Sequence, residues 1–252
     1  MSGIALGPLL GAGKVAEVFV YGERVAKLYR AGIAEEVATR EAGKLAFIKS
    51  LGLPTPSAHG VELIDGRWAV IMDRVDGPPL AAAIEQNPAM LDSYLEEMAR
   101  LHLQIHTQAA ATLPRLKERL GQNIGRAAAI LSEARQGELL HRLALQPDGN
   151  RLCHGDFHPF NVMGQSGSLM IVDWVDASCG DPAADVCRSY VLMRNWSPEM
   201  ADAYVEAYAE AGRVSHEAIF AWLPIVAAAR LAEGVPEEAD LLALVDKGLS
   251  KA

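Results

Sequence analysis

Asp156, Asn161 and Asp173 are the side chains in this sequence best suited to chemistry. They lie in Leu152-Cys153-His154-Gly155-Asp156-Phe157-His158-Pro159-Phe160-Asn161 and in Ile171-Val172-Asp173-Trp174. A carboxylate five residues before an amide, with a second carboxylate closing an apolar run, suits phosphoryl transfer. That reaction needs a base to orient an acceptor hydroxyl and take its proton. It also needs oxygen ligands that hold Mg²⁺ against nucleotide phosphates. Asp156 is the expected base, and Asn161 and Asp173 are the expected metal ligands. The apolar run Leu169–Val172 reads as a buried strand that delivers Asp173 to a sheet edge.

His154 and His158 flank Asp156 as His-x-Asp-x-His, a spacing open to a metal cluster and so to a metallohydrolase. Pro159 argues against one regular helix through the segment, so the two rings lack a common helix face. A structural role under the loop is expected for His154, and the role of His158 stays open.

Lys27 lies in Arg24-Val25-Ala26-Lys27-Leu28-Tyr29, where alternation puts Val25, Lys27 and Tyr29 on one face. It reads as a phosphate clamp or as an exposed strand lysine. Glu41 is its expected partner from the following helix, with Glu35 and Glu36 as rivals in the first turn, where the helix dipole favours acids anyway. Gly11-Ala12-Gly13-Lys14 is not a nucleotide P-loop, because Pro8 and Val15 stand where Gly and Ser or Thr are needed. Between two strands it reads as a hairpin turn, and as a flap whose N–H groups at Gly11 and Gly13 approach phosphates. Asp181 before Pro182 is an expected helix cap, and Asp185 is expected to brace the loop. Asp176 is expected in solvent, with metal or substrate contact as the alternative. Trp174, Trp196 and Trp222 are expected to be core or lobe-packing residues.

These groups need a scaffold, and the pattern supplies one. Strands are expected at Ile4–Leu10, Glu17–Tyr21, Arg24–Leu28, Ala58–Leu63 and Arg67–Arg74, the last two joined by Asp65-Gly66. A helix is expected over Ala34–Leu51, with Val37, Leu45 and Ile48 on its apolar stripe. After the stiff segment Val75-Asp76-Gly77-Pro78-Pro79, helices are expected at Leu80–Glu85, Met90–Thr107, Pro114–Arg142, Pro182–Arg194, Pro198–Glu210 and His216–Leu231. Short strands flank the motif in Leu152–Val175. The expected class is α+β: a sheet-rich lobe at 1–75, a hinge near 73–79, and a larger, mainly helical lobe at 76–252.

The 252 residues are 50% hydrophobic and 22% charged, enough for a substantial core. A net charge of −9 and a pI near 5.3 argue against nucleic-acid binding. Cys153, Cys179 and Cys187 form no Cys-x-x-Cys pair and read as reduced thiols. No signal peptide and no membrane span are expected, which together point to a cytoplasmic protein. A monomer is expected in the absence of a coiled-coil seam.

The motif set resembles the aminoglycoside phosphotransferase and choline-kinase-like family, relatives of the protein kinases. HGDFHPFN resembles its catalytic loop, IVDWVDASCGDPAADV its metal-binding segment, VAKLY its lysine strand, and TREAGKLAFIKSLGLPTP its glutamate helix. GAGKVAEVF resembles its nucleotide flap, and IMDRVDGPPL its hinge strand. The resemblance implies a protein-kinase-like fold with a small antiparallel sheet and one helix in the first lobe. It implies ATP and Mg²⁺ as cofactors, Lys27 on the α/β-phosphates with Glu41 anchoring it, and main-chain contacts to adenine around Asp73–Val75. Gly180-Asp181-Pro182 follows almost at once, leaving no room for a protein-kinase activation loop. The acceptor implied is therefore a hydroxyl of a small molecule such as an aminoglycoside, amino alcohol or sugar. A catalytically silent nucleotide-binding module of the same fold is the alternative.

Overall fold

Turn chemistry lays out the first part of the chain. The computed structural model describes residues 5–249. It begins with β1 (Leu9–Ala12), β2 (Ala16–Tyr21), β3 (Arg24–Tyr29), α1 (Glu35–Ser50), β4 (Ala58–Ile64) and β5 (Arg67–Asp73). Helices α2 (Leu80–Gln86), α3 (Leu91–Thr107), α4 (Leu116–Arg126) and α5 (Glu133–Leu145) follow. Short strands β6 (Arg151–Cys153), β7 (Val162–Met163), β8 (Met170–Ile171) and β9 (Ser178–Gly180) bracket the motif segment. The chain continues through α6 (Pro182–Arg194), α7 (Pro198–Gly212), α8 (His216–Phe220), α9 (Leu223–Leu231) and α10 (Glu238–Leu249).

The chain divides into two units: residues 5–80 with Phe160–Val175, and Ala81–Pro159 with the remainder from Asp176. In the first, β1 to β5 form an antiparallel sheet in the order β1-β2-β3-β5-β4. Asp65 and Gly66 take φ of 50° and 75°, the two positive values that a tight hairpin between twisted strands requires. Alternation sorts the side chains. Tyr21, Ala26, Leu28, Ala69 and Ile71 cluster on one face, while Tyr29 and Val70 pack with Ala38 of α1 on the other.

Three details differ from expectation. Gly11 and Ala12 belong to β1, paired with Val18 and Glu17, so the turn falls two residues later, at Gly13–Val15. Strand β1 starts at Leu9, and the Ile4 end of the expected strand lies outside the described residues. In α1 the buried positions are Ala38, Glu41, Leu45 and Ile48, and Val37 is exposed. A small residue, Ala38, and Glu41 occupy the inner stripe instead.

The first unit also reaches beyond the boundary expected near residue 75. The β7–β8 pair joins it through backbone bonds: Ile171 N–H donates to Pro54 O (2.7 Å) and Gly164 N–H to Pro78 O (3.0 Å). Buried Thr55 Oγ1 donates to Ile171 O (2.9 Å) and accepts from Trp174 Nε1 (2.8 Å). Polar groups buried this deeply need such partners.

The second unit is mainly helical. The helix expected over Pro114–Arg142 is two helices, because Ser132 caps α5 by accepting from Arg135 N–H (3.4 Å) after a short 3₁₀ turn at Ala127–Ala129. The helix expected over His216–Leu231 also divides, with Pro224 in the first turn of α9, where its missing N–H costs nothing. Strands β6 and β9 pair around the motif. Cys153, Cys179 and Cys187 are free and buried. Among the described residues no helix is long and apolar enough to cross a membrane.

Candidate active site

In the first unit, Lys27 lies in the middle of β3, in register with Val18 and Val70. Its Nζ donates to Glu41 Oε1 at 2.8 Å and to Asp173 Oδ1 at 2.9 Å. Burial would lower the Lys27 pKa, but the Asp173 and Glu41 carboxylates outweigh it and hold the ammonium above its ordinary value. Tyr29, two residues along the same face, donates its hydroxyl to Glu41 Oε2. Burial, then the Glu41 carboxylate, pushes the Tyr29 phenol up, so it stays a donor. Glu41 is therefore fixed from both oxygens, whereas Glu35 and Glu36 are exposed at the helix start.

Asp173 has φ of 62°, a left-handed conformation that a non-glycine residue rarely adopts. It turns the chain just after β8. Val172 N–H donates to Asn161 O (2.9 Å), so Asn161 and Asp173 stand at the same end of the β7–β8 pair. The Asp173 side chain is 44% exposed. A carboxylate and an amide, both hard oxygen donors, match the ligand chemistry of Mg²⁺. The donor set fits that ion.

The turn between β1 and β2 is organised by Arg30, whose guanidinium donates to Lys14 O and Gly13 O (both 3.0 Å). Gly13 N–H is spent on Ala16 O (2.8 Å), while a side chain at Gly11 would meet open space. At the end of β5, Asp73 accepts from Ser57 N–H (2.9 Å) and bonds His59 Nε2 (2.5 Å). Burial opposes ionisation there, but the His59 and Ser57 bonds win and bring its pKa down to about 2. Val75 lies two residues beyond, half-buried.

In the second unit, the loop carrying Asp156 is held from beneath by Asp185. One oxygen of Asp185 accepts from His154 N–H (2.6 Å), His102 Nε2 (2.9 Å) and His106 Nε2 (3.2 Å), and the other accepts from Gly155 N–H (2.7 Å). The outer ring nitrogens of the two histidines meet Tyr204 and Tyr208 hydroxyls at 2.5 and 2.7 Å. His102 is fully buried; that burial, with His106 beside it, drops its pKa to about 3 and keeps it neutral. Burial disfavours the Asp185 carboxylate, but bonds from His102 and His106 hold its pKa well below the usual range.

Gly155 takes φ of 83°, which aims the next residue. Asp156 N–H donates to His154 Nδ1 (3.2 Å), so His154 supports the loop as expected of it. Asp156 Oδ2 lies 3.3 Å from His158 Nε2, and Oδ1 lies 3.9 Å from Arg188 Nη2. Burial would raise the Asp156 pKa, but the His158 bond and the charges of His158 and Arg188 hold it well below the carboxylate range. Such a carboxylate is ionised at neutral pH and orients a hydroxyl better than it removes its proton early. The His154/Asp156/His158 metal cluster does not form. Among the described residues the grouping with metal-ligand spacing is His102, His106 and Asp185, already mutually hydrogen-bonded.

A model of the phosphotransferase enzyme family matches residues 15–219. The chain belongs to that family. Among solved structures it resembles a thermostable mutant of aminoglycoside phosphotransferase APH(4)-Ia in complex with ADP and hygromycin B. The TM-score is 0.71 at 16% identity, over 98% of this chain and 94% of the other. It also resembles aminoglycoside-3'-phosphotransferase of type VIII (TM-score 0.65, 21% identity, 92% and 94% covered). A third is a putative fructosamine-3-kinase from Haemophilus somnus 129PT (TM-score 0.69, 12% identity, 98% and 91% covered). These likenesses show the protein-kinase-like fold. No curated protein matches.

For this phosphotransferase-family chain, several site features carry no local sequence signal. Arg188 sits in α6 with its side chain only 13% exposed, beside Asp156 and Glu233, yet a mid-helix arginine reads as a surface residue. Alternation puts Tyr29 on the Lys27 face, but no local signal in the sequence announces its bond to Glu41. Trp174 and Trp222 are buried, but Trp196 is 46% exposed and stands edge-on to His158, 5.2 Å between ring centroids. Asp176 is 48% exposed at its side chain, as expected, and also pairs with Arg119 (3.1 Å).

Proposed function

We propose that this chain is an ATP- and Mg²⁺-dependent kinase that moves the γ-phosphoryl group to a hydroxyl of a small molecule. The observation that carries the reading is Lys27 held at 2.8 and 2.9 Å between Glu41 and Asp173. A cationic donor fixed beside an exposed carboxylate is the arrangement that nucleotide phosphates and their metal require. In this reading Lys27 binds the α/β-phosphates and Glu41 anchors it. The flap at Gly11 and Gly13 covers the phosphates, and the main chain at Asp73 and Val75 meets the base. Asn161 and Asp173 would hold Mg²⁺, which would neutralise phosphate charge. Asp156 orients the acceptor hydroxyl and accepts its proton. The acceptor oxygen bonds to the γ-phosphorus as the bond to the β,γ-bridging oxygen breaks, and ADP leaves.

Positioning and charge neutralisation carry such a reaction, with no covalent enzyme intermediate. The test is Asp156→Asn. The expected loss in kcat is about 10²–10⁴, with Mg-ATP binding retained in calorimetry. Equal turnover by variant and parent rejects the role of Asp156. Retained Mg-ATP binding in the parent, with no product from any hydroxyl acceptor, would instead favour a silent nucleotide-binding module.

A further inference from the structure

The second unit contains a cavity of about 240 Å³ lined by α4, α6 and α9 and by Gly155 of the Asp156 loop. Its polar wall is Arg119, Asn123, Arg126, Asp176, Arg188 and Glu233. Arg119, Asn123 and Arg126 follow one another at helical spacing on α4, so one face of that helix presents all three.

The charges in this wall are unequally committed. Asp176 is engaged by Arg119, whose Nη1 also donates to the Asp176 carbonyl (2.6 Å). Glu233 is shared between Arg188 (2.8 Å) and Arg230 (2.9 Å). Asp185, at the base of the cavity, is saturated by the loop N–H groups and the two histidines. Every lining carboxylate thus already faces a cation or a set of donors. Arg126 differs: it is exposed, and its one hydrogen bond among the described residues is a long one to Asn123 Oδ1 (3.4 Å). It has no ion pair among them. An ammonium entering here would meet guanidinium groups and occupied carboxylates. A carboxylate or phosphate would meet the planar fork of Arg126, which matches its geometry. The volume sits below the usual range for drug-sized ligands, room for a single ring or short chain rather than several linked sugars.

We propose that the acceptor is a small hydroxylated anion, a compound bearing a carboxylate or phosphate monoester that Arg126 binds while its hydroxyl faces Asp156. This rests on the kinase reading and narrows it away from polycationic acceptors. Asn123 and the outer edge of Arg119 complete the anion site.

The experiment uses the full chain and one hexose framework: D-gluconate, D-glucose 6-phosphate, D-glucose and D-glucosamine. Thermal shifts are read without ATP, and products of Mg-ATP reactions are weighed by mass spectrometry. Stabilisation by one or both anions, but not by glucose or glucosamine, is expected. Arg126→Ala should raise the half-saturating anion concentration by about 10–100-fold, the range of a charge-assisted bond. Arg126→Lys should fall between, because it keeps the charge and loses the fork. Which anion stabilises at lower concentration separates carboxylate from phosphate. Arg126 is exposed at the end of α4, so neither variant threatens folding. Absence of stabilisation by both anions, an unchanged anion titration in Arg126→Ala, or preferential phosphorylation of glucosamine would each overturn the proposal. Failure of the kinase reading looks different: Arg126-dependent anion binding persists, but no acceptor gains phosphate.

Discussion

Lys27 is useful to a nucleotide only if its ammonium is already in place, and in the first unit two carboxylates put it there. Of the two, Glu41 is 8% exposed at its side chain and Asp173 is 44% exposed. In the proposed reading the first is therefore the anchor, and the second is the one able to exchange partners when phosphates and a cation arrive. Glu41→Gln keeps the shape and one acceptor oxygen but removes the charge. Its expected effect is a rise of about tenfold in the Kd for a non-hydrolysable Mg-ATP analogue, the size of one charge-assisted bond, measured by calorimetry. An unchanged Kd would remove Glu41 from the nucleotide site. This pair was legible in the sequence, because strand alternation fixed the face of Lys27 and the next helix had to cover that face. Arg188 was not legible, because its neighbours Asp156 and Glu233 lie 32 and 45 residues away along the chain.

Among the elements, the loop through Gly155 is tightly specified. An added Cβ at Gly155 would lie 2.6 Å from Asp176 O and 2.7 Å from Arg119 Nη2, and the φ of 83° disfavours any side chain. Gly155→Ala is expected to cost on the order of 1–3 kcal/mol and to reduce turnover, since it displaces the residue before Asp156. Urea unfolding alongside steady-state rates would check both, and a variant of parental stability would show that the loop tolerates the left-handed conformation without glycine. The hairpin at Asp65-Gly66 was readable because its two turn residues permit positive φ. The division of residues 114–142 into two helices was not. Ala127, Ala128 and Ala129 are good helix formers, and the break comes from the cap at Ser132 and the packing it permits.

At the scale of the molecule, buried titratable groups tie stability to pH. The unfolded chain protonates His102 near its ordinary pKa of 6.5, whereas the folded chain resists until about 3. Between those values the unfolded state binds more protons, so stability falls as pH drops. Asp185 acts in the same direction: its folded pKa is depressed, so its contribution is complete above the ordinary carboxylate pKa and is lost in stronger acid. The unfolding free energy is expected to decline from pH 7 to pH 5, at a slope on the order of 1 kcal/mol per pH unit for one proton, and the Tm to fall with it. His102→Gln should flatten that slope even where it lowers Tm overall. A Tm independent of pH across this range would contradict the assignment.

The strand pair at 162–171 has a consequence for how the protein is made. The sheet-bearing unit takes its last two strands, and with them Asn161 and Asp173, from a stretch encoded after all four helices α2 to α5. On the ribosome, the first eighty residues emerge long before the piece that completes them. A fragment cut after Leu80 would carry the lysine and its glutamate but neither proposed cation ligand, and Thr55 would lack its carbonyl partner at Ile171. A nascent chain that has not yet reached Val175 would therefore hold that sheet-bearing unit without its last strand pair.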